Sequence, residues 1–483
     1  MRFFVFFALG ALVAAAAAGC EEVDVSDGDG AGGAGAGPST PRPIYEAGSR
    51  LTPRLISGGD GADVFVGFFD NELQIACSFM ETDSGELRCL PENDIVGVAL
   101  YADDACTVPA ILETPCVTAP YATRFAQDPC HGYEPVEVFR AIDGSPPMPA
   151  YNLTMAGCFE FPEQTGGELR AAEAVPFSEF VLGTIERAGI EGDLAVHRIV
   201  AEDGASFVQT LLRDDFACEP RAFGTENRCV DVGAASMEVY EGMPLWAEST
   251  CSSSRAAFYG NPECLASGQM PGPLQTKMKP GLAVECTSQD CSTQAYYELD
   301  VDLAQVFTNE GMCTEYVVQA LHAAAVGDPF PIEGLPAVET VQVGTGRLRA
   351  LAWGHDGKAL IGRPTFRDTT LGIECAAATV DGGTTRCLPE GTYPLYFADA
   401  ACTVPLLQGT TEATRFLRIE EVSTPPSSCV AEITEVLERG AAHTGAAYTY
   451  NDTLPGCEVA TNPGDLYTGT PKPLTDFAEL TVN

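Results

Sequence analysis

Nine residues, Tyr101-Ala102-Asp103-Asp104-Ala105-Cys106-Thr107-Val108-Pro109, return almost unchanged as Phe397-Ala398-Asp399-Ala400-Ala401-Cys402-Thr403-Val404-Pro405. A chain that repeats itself this closely must build the same supersecondary unit in each copy and bury the open faces of each against its neighbours. The recurrence extends to Arg88-Cys89-Leu90-Pro91 with Arg386-Cys387-Leu388-Pro389, Thr123-Arg124-Phe125 with Thr414-Arg415-Phe416, Gly157-Cys158 with Gly456-Cys457, and Pro176-Phe177-Ser178-Glu179-Phe180 with Pro473-Leu474-Thr475-Asp476-Phe477. The offsets lie between 291 and 299, which leaves room for a middle copy. A degenerate one is present in Asp203-Gly204, Cys218, Arg228-Cys229 and the run from Leu245 to Cys251. Three units of roughly 140 residues follow, over 46–190, 191–340 and 341–483.

Short runs rich in β-branched and aromatic residues dominate all three: Ala62 to Phe69, Gly97 to Tyr101, Val136 to Phe139, Phe180 to Gly183 and Tyr393 to Phe397. Gly, Pro and Asp turns divide them at the spacing of an all-β fold. Asp60-Gly61, Asp203-Gly204 and Asp356-Gly357 recur at one point of each copy and read as hairpin turns, not ligands. Thr314 to Val326 and Val430 to Ala442 have helical composition, but the repeat sets Glu435-Val436-Leu437 against the strand-like Glu137-Val138-Phe139. About eight strands per unit make two sheets. Three tandem repeats therefore predict a six-bladed β-propeller-like ring, favoured over three β-sandwich modules because no Pro/Gly/Ser linker separates the units.

Nineteen cysteines are odd for an exported chain, and setting Cys20 aside leaves an even number. Cys77 and Cys89, Cys218 and Cys229, and Cys375 and Cys387 keep a nearly fixed separation across turn-rich stretches, which predicts hairpin-closing disulfides. Cys106 with Cys130 and Cys402 with Cys429 form a second expected set, although spacing alone does not fix connectivity. Cys158, Cys313 and Cys457 occupy equivalent positions without an assignable partner. Zinc is not expected, since the cysteine separations are long and His131, His197, His322, His355 and His443 fall at non-equivalent places. No other metal and no cofactor is expected either, and Asp27-Gly28-Asp29-Gly30 lacks the later glutamate of a calcium loop.

The N-terminus carries an address. Arg2 precedes an apolar run from Phe3 to Ala18, too short to span a bilayer, and Ala17-Ala18-Gly19-Cys20 is a small-residue cleavage site ending in cysteine. In this stretch the chain resembles bacterial lipoproteins, whose signal is cut before a cysteine that then becomes lipidated. That resemblance implies residues 1–19 as signal peptide, Cys20 as the lipidation site and the membrane as a partner through the lipid anchor. Glu21 in place of an inner-membrane retention aspartate implies the outer membrane or the cell surface. Residues 20–45, acidic and rich in Gly, Ala and Pro, read as a flexible tether. The Arg-Cys-Leu-Pro and Phe-Ala-Asp-Ala-Ala-Cys-Thr motifs further resemble those of uncharacterised cysteine-rich, repeat-bearing lipoproteins, a likeness that implies no activity.

A net charge of −42 with only four lysines, Lys277, Lys279, Lys358 and Lys472, excludes nucleic acid as a partner. The chain contains no G-x-S-x-G, no H-E-x-x-H and no phosphate-cradling glycine loop, and no catalytic residue is assigned. Residues that recur serve folding most economically, so a binding site belongs where the copies differ. The middle unit differs most, with an insertion at about 255–290 that carries the candidate binding-loop residues Tyr259, Asn261, Lys277 and Lys279. The expected role is non-enzymatic: binding, adhesion or structure at the cell envelope, with an envelope glycan or protein as partner. The alternative is a secreted hydrolase or lyase using a carboxylate-lined cleft.

Overall fold

The computed structural model of the protein describes residues 44–92, 100–113, 120–128, 132–142, 150–154, 157–161, 168–191, 194–213, 216–223, 226–231, 235–236, 238–239, 243–252, 254–259, 282–286, 294–303, 305–309, 313–316, 322–380, 383–389, 396–409, 415–421, 432–450, 456–461 and 463–483. Among them there are strands and short 3-10 turns but no α-helix. The described residues of both stretches of helical composition are extended: Cys313–Tyr316, His322–Pro329 and Glu432–Ala442 are strands. Pairing partners override weak helix propensity here, because each of these strands completes a ladder.

Each unit opens with a four-stranded antiparallel meander. In the first it runs through Leu51–Ser57, Asp63–Asp70, Ile75–Glu81 and Leu87–Pro91. In the second it runs through Leu194–Ala201, Ser206–Arg213, Phe216–Phe223 and Glu226–Asp231. In the third it runs through Leu348–His355, Lys358–Asp368, Ile373–Val380 and Thr384–Pro389. Asp60-Gly61 and Asp356-Gly357 turn the first hairpins of units one and three with positive φ at both residues, as a tight primed turn requires. At the Asp203-Gly204 turn of the second unit only the glycine has positive φ; Asp203 instead accepts the Arg50 and Leu51 amides, fastening unit two to unit one.

The chain then makes an outer excursion. In unit one its strands lie in the order 157–161, 150–154, 100–101, 109–113, 168–175, 132–141, 121–128. In unit three the order 457–459, 448–450, 396–397, 405–408, 466–472, 432–442, 416–421 repeats it. The middle unit follows the same pairings and adds Ala235–Ser236, which closes five of its strands into a small barrel.

A proline-led 3-10 turn ends each excursion and delivers a linking strand, Leu182–Glu191, Ala337–Val343 or Thr481–Val482. The first two linking strands pair at their start with the fourth strand of their own meander and further on with the first strand of the next. The third reaches back to the beginning. Glu479 bridges Arg386, Val482 pairs with Ile56, and Leu55 and Asn483 exchange backbone bonds of 3.0 and 2.8 Å. The hydrogen-bonded circuit is therefore closed by the chain's own C-terminus. The all-β repeat is as expected, but the six-bladed propeller is not shown: propeller blades are separate sheets packed face to face, whereas backbone bonds cross every junction here and join twenty-three strands in one large sheet.

Three apolar cores sit at the junctions. Leu51, Phe68, Cys77 and Cys89 of unit one pack with Ile199, Ala201 and Phe207 of unit two. Leu194, Leu211, Cys218 and Cys229 pack with Trp353, Leu360 and Ile361 of unit three. Leu348, Phe366, Cys375 and Cys387 pack with Ala62, Val64 and Leu480, closing the cycle. The other face of each meander carries the outer strands. Because side chains alternate across a strand, Cys89 enters a junction core while Leu90 enters an outer core with Tyr121, Val138 and Phe180. Leu87–Pro91 is accordingly buried along its whole length.

The Arg-Cys motif is explained at the same place. The guanidinium donates to the carbonyl that follows the 3-10 turn, from Arg88 to Phe180 at 2.8 Å, Arg228 to Leu335 at 2.9 Å and Arg386 to Phe477 at 2.7 Å. The next amide, of Cys89, Cys229 or Cys387, donates to the following carbonyl. Recurring residues thus dock each excursion back onto the ring.

Candidate functional site

Six disulfides are present among the described residues, and they fall into two sets of three. Cys77–Cys89, Cys218–Cys229 and Cys375–Cys387 tie hairpins within the junction cores, as the spacing predicts. The second set differs from expectation. Cys106 joins Cys158, Cys251 joins Cys313 and Cys402 joins Cys457, with Cα atoms 5.7, 5.6 and 6.0 Å apart. Cys106 and Cys402 are therefore not bonded to Cys130 and Cys429, which themselves lie outside the described residues. The signal for the true pairing was in the sequence: Cys106, Cys251 and Cys402 recur in all three units, and so do Cys158, Cys313 and Cys457. Spacing along the chain favoured nearer partners, while the outer strand order sets the loop after 100–101 at the end of the sheet where, two strands over, 157–161 begins.

Each outer bridge holds a loop against a strand at the end of its sheet, and the loop is built around one acidic residue. Asp103 Oδ1 accepts the Thr107 and Val108 amides, both at 2.8 Å, and Oδ2 accepts the Thr107 hydroxyl at 2.5 Å. Asp399 repeats this with Thr403 and Val404. In the middle unit Glu248 accepts Ser252 Oγ and the Ser254 amide instead. The fourth residue of the turn is a cysteine in the left-handed region, Cys106, Cys251 and Cys402 at φ of 52°, 49° and 50°. A non-glycine residue held there stores about 1–3 kcal/mol of strain, which only an over-determined loop sustains.

The Thr107 hydroxyl and then the Val108 amide hold the Asp103 carboxyl below its ordinary value, and Asp399 is lowered likewise, first by Thr403. The folded pKa is depressed, so the clamp is present above the ordinary carboxylate range and is lost as pH falls through the depressed value. Thr403→Val is expected to move the Asp399 titration up towards its ordinary value, read by carboxyl NMR; an unmoved titration would contradict the clamp.

In units one and three exposed apolar side chains lie in these loops or on the strands at the same end of the sheet. Val108 and Phe159 in unit one, and Val404, Tyr450 and Val459 in unit three, are 39, 52, 52, 59 and 61% exposed. Tyr450 lies directly opposite Cys457, and Val459 stands two residues beyond it, so both share the face of the sulfur bridge. Sequence reading missed this surface, since an apolar residue in a short strand carries no sign of which face it takes.

Of the residues singled out in the middle insertion, Tyr259 ends the strand Ala256–Tyr259 and pairs with His322. Asn261, Lys277, Lys279 and the lipidation candidate Cys20 lie outside the described residues. Among the described residues no group of three or more His, Cys, Asp or Glu side chains could hold a metal, and no helix is long and apolar enough to cross a membrane.

Fold and bridges together define a class: an all-β repeat protein, hardened by disulfides of the kind that persist outside the cytoplasm. More particularly, the chain belongs to a family of unknown function, DUF7481, whose model matches residues 42–255 and again 240–411. Two overlapping matches of one model agree with a repeated architecture. Neither the curated proteins nor the solved structures contain a match to the chain.

Proposed function

We propose that this protein is a lipoprotein tethered at the outer membrane or cell surface through Cys20, with a non-enzymatic binding, adhesive or structural role in the envelope. Six disulfides support an oxidising compartment, and the Ala17-Ala18-Gly19-Cys20 sequence supports the anchor. One observation carries the binding role. Rigid, bridge-clamped loops at the ends of the outer sheets carry exposed apolar side chains on an otherwise strongly acidic chain, and such patches mark contact surfaces. The partner is an envelope glycan or protein that meets several similar faces at once, so that weak contacts add through multivalency.

The test separates anchor from contact. Cys20→Ser is expected to move the protein from the membrane fraction to the soluble fraction with its thermal stability unchanged. Tyr450→Ser with Val459→Ser is expected to lower binding of the purified chain to whole cells and envelope fractions at least about tenfold, by analogy with loss of exposed anchor residues. Deleting 260–281, which keeps the barrel strands Ala256–Tyr259 and Leu282–Cys286, tests the middle insertion in the same assay. Full binding by both variants would overturn the contact surface.

A further inference from the structure

The geometry points to the three outer disulfides as thiol–disulfide exchange sites for a dithiol reductant, opened in the folded protein while the junction disulfides stay closed. The two sets differ in access. Cys77, Cys89, Cys218, Cys229, Cys375 and Cys387 are 0–3% exposed inside the junction cores, whereas both cysteines of Cys106–Cys158 and of Cys402–Cys457, together with Cys313, are only partly buried. They differ in backbone as well. The one cysteine of each outer bridge that sits in the turn has φ near +50° in all three units, a conformation the bridge helps to hold, while no cysteine of the inner set has positive φ. Opening an outer bridge therefore releases backbone strain, and opening an inner one does not.

Opening also leaves the ring intact. Its closure runs through backbone bonds of the meanders, the linking strands and Asn483, none of which belongs to the loops. What the outer bridge controls is the loop that carries Val108 or Val404 and its hold on the strand beginning at Gly157 or Cys457.

In the middle unit Cys251 is buried at 7% exposure and Cys313 is the more open partner, so the entering thiolate bonds to Cys313 Sγ and, by equivalence, to Cys158 and Cys457. The Sγ of Cys251, Cys106 or Cys402 leaves with the electron pair as a thiolate, on the strained residue. The second thiolate of the reductant then displaces the strand cysteine. The reductant ends as its own disulfide, and the protein has taken up two electrons and two protons.

The full mature chain would be titrated with dithiothreitol under native conditions, alkylated and mapped by mass spectrometry, with far-UV circular dichroism recorded in parallel. The outer six cysteines are expected to label at a reductant concentration about tenfold or more below that needed for the inner six, with the strand signal retained. Simultaneous labelling of both sets, or labelling only after the strand signal is lost, would overturn the inference. A thioredoxin-type reductant with its second cysteine replaced by serine is expected to be trapped on Cys158, Cys313 and Cys457. Trapping on Cys106, Cys251 and Cys402 would overturn the assigned direction of attack.

Discussion

Ending the chain at Asp476 is expected to abolish cooperative folding. Only seven residues are lost, yet they include Phe477, Leu480 and Val482, at 0, 5 and 8% exposure, and both backbone bonds between Asn483 and Leu55. They also include the Phe477 carbonyl that receives Arg386. Emptying one Phe site alone costs about 3–5 kcal/mol, and a domain holds only about 5–15 kcal/mol in total. Removing the strand also bares the edges of Leu51–Ser57 and Thr384–Pro389 and opens the core shared by units one and three. Thermal unfolding and limited proteolysis would read the loss. A truncated chain that still melted in one sharp transition near the parent temperature would show that the circuit does not depend on its clasp.

The second large effect belongs to a buried ion pair that the repeat uses twice. Asp70 and Asp368 are fully buried, and each is gripped by one arginine through Nε and Nη2, Arg50 at 2.7–3.0 Å and Arg347 at 2.7–3.1 Å. The same arginines donate to the carbonyls of Glu179 and Asp476. Each aspartate also caps two amides, Glu72 and Leu73 or Thr370 and Leu371. Asp368→Ala removes a fully buried carboxylate and leaves the Thr370 and Leu371 amides without their acceptor, while the part-exposed Arg347 can turn to water, so the expected cost is about 1–3 kcal/mol.

The middle unit suggests how to separate charge from capping. At the corresponding places it carries Asp193 and Arg213, the polarity reversed, with Arg213 paired across the strands to Leu194 just as Asp70 pairs to Leu51; Asp193 lies outside the described residues. The double swap Arg347→Asp with Asp368→Arg is therefore expected to recover part of the loss, and the remainder measures the two amide caps. A swap no better than Asp368→Ala in thermal denaturation would contradict this reading.

Much of the fold was legible along the chain because identical local chemistry was written three times. Asp60-Gly61 and Asp356-Gly357 had to be turns, since the pair suits a hairpin needing positive φ twice. Cys77–Cys89 and its counterparts had to be close, because a dozen residues around a turn bring two strands together. The outer bridges were not legible from spacing, because Cys106 and Cys158 are 52 residues apart and meet only through a strand order that skips across the sheet. The candidate surface was still less so. Val459 and Leu407 are both aliphatic residues in short strands, and only the sheet decides that one is 61% exposed and the other 2%.

By itself, then, the sequence determined the repeat, its all-β character, the inner bridges and the acidic surface, each a matter of local pattern or of counting. The tertiary structure alone decided that the units share one hydrogen-bonded circuit instead of forming separate blades, and which sulfurs and apolar side chains come to the outside. The physical reason is that a linking strand has two edges. Local propensity makes it extended, but only the placement of the neighbouring units settles which strand takes each edge.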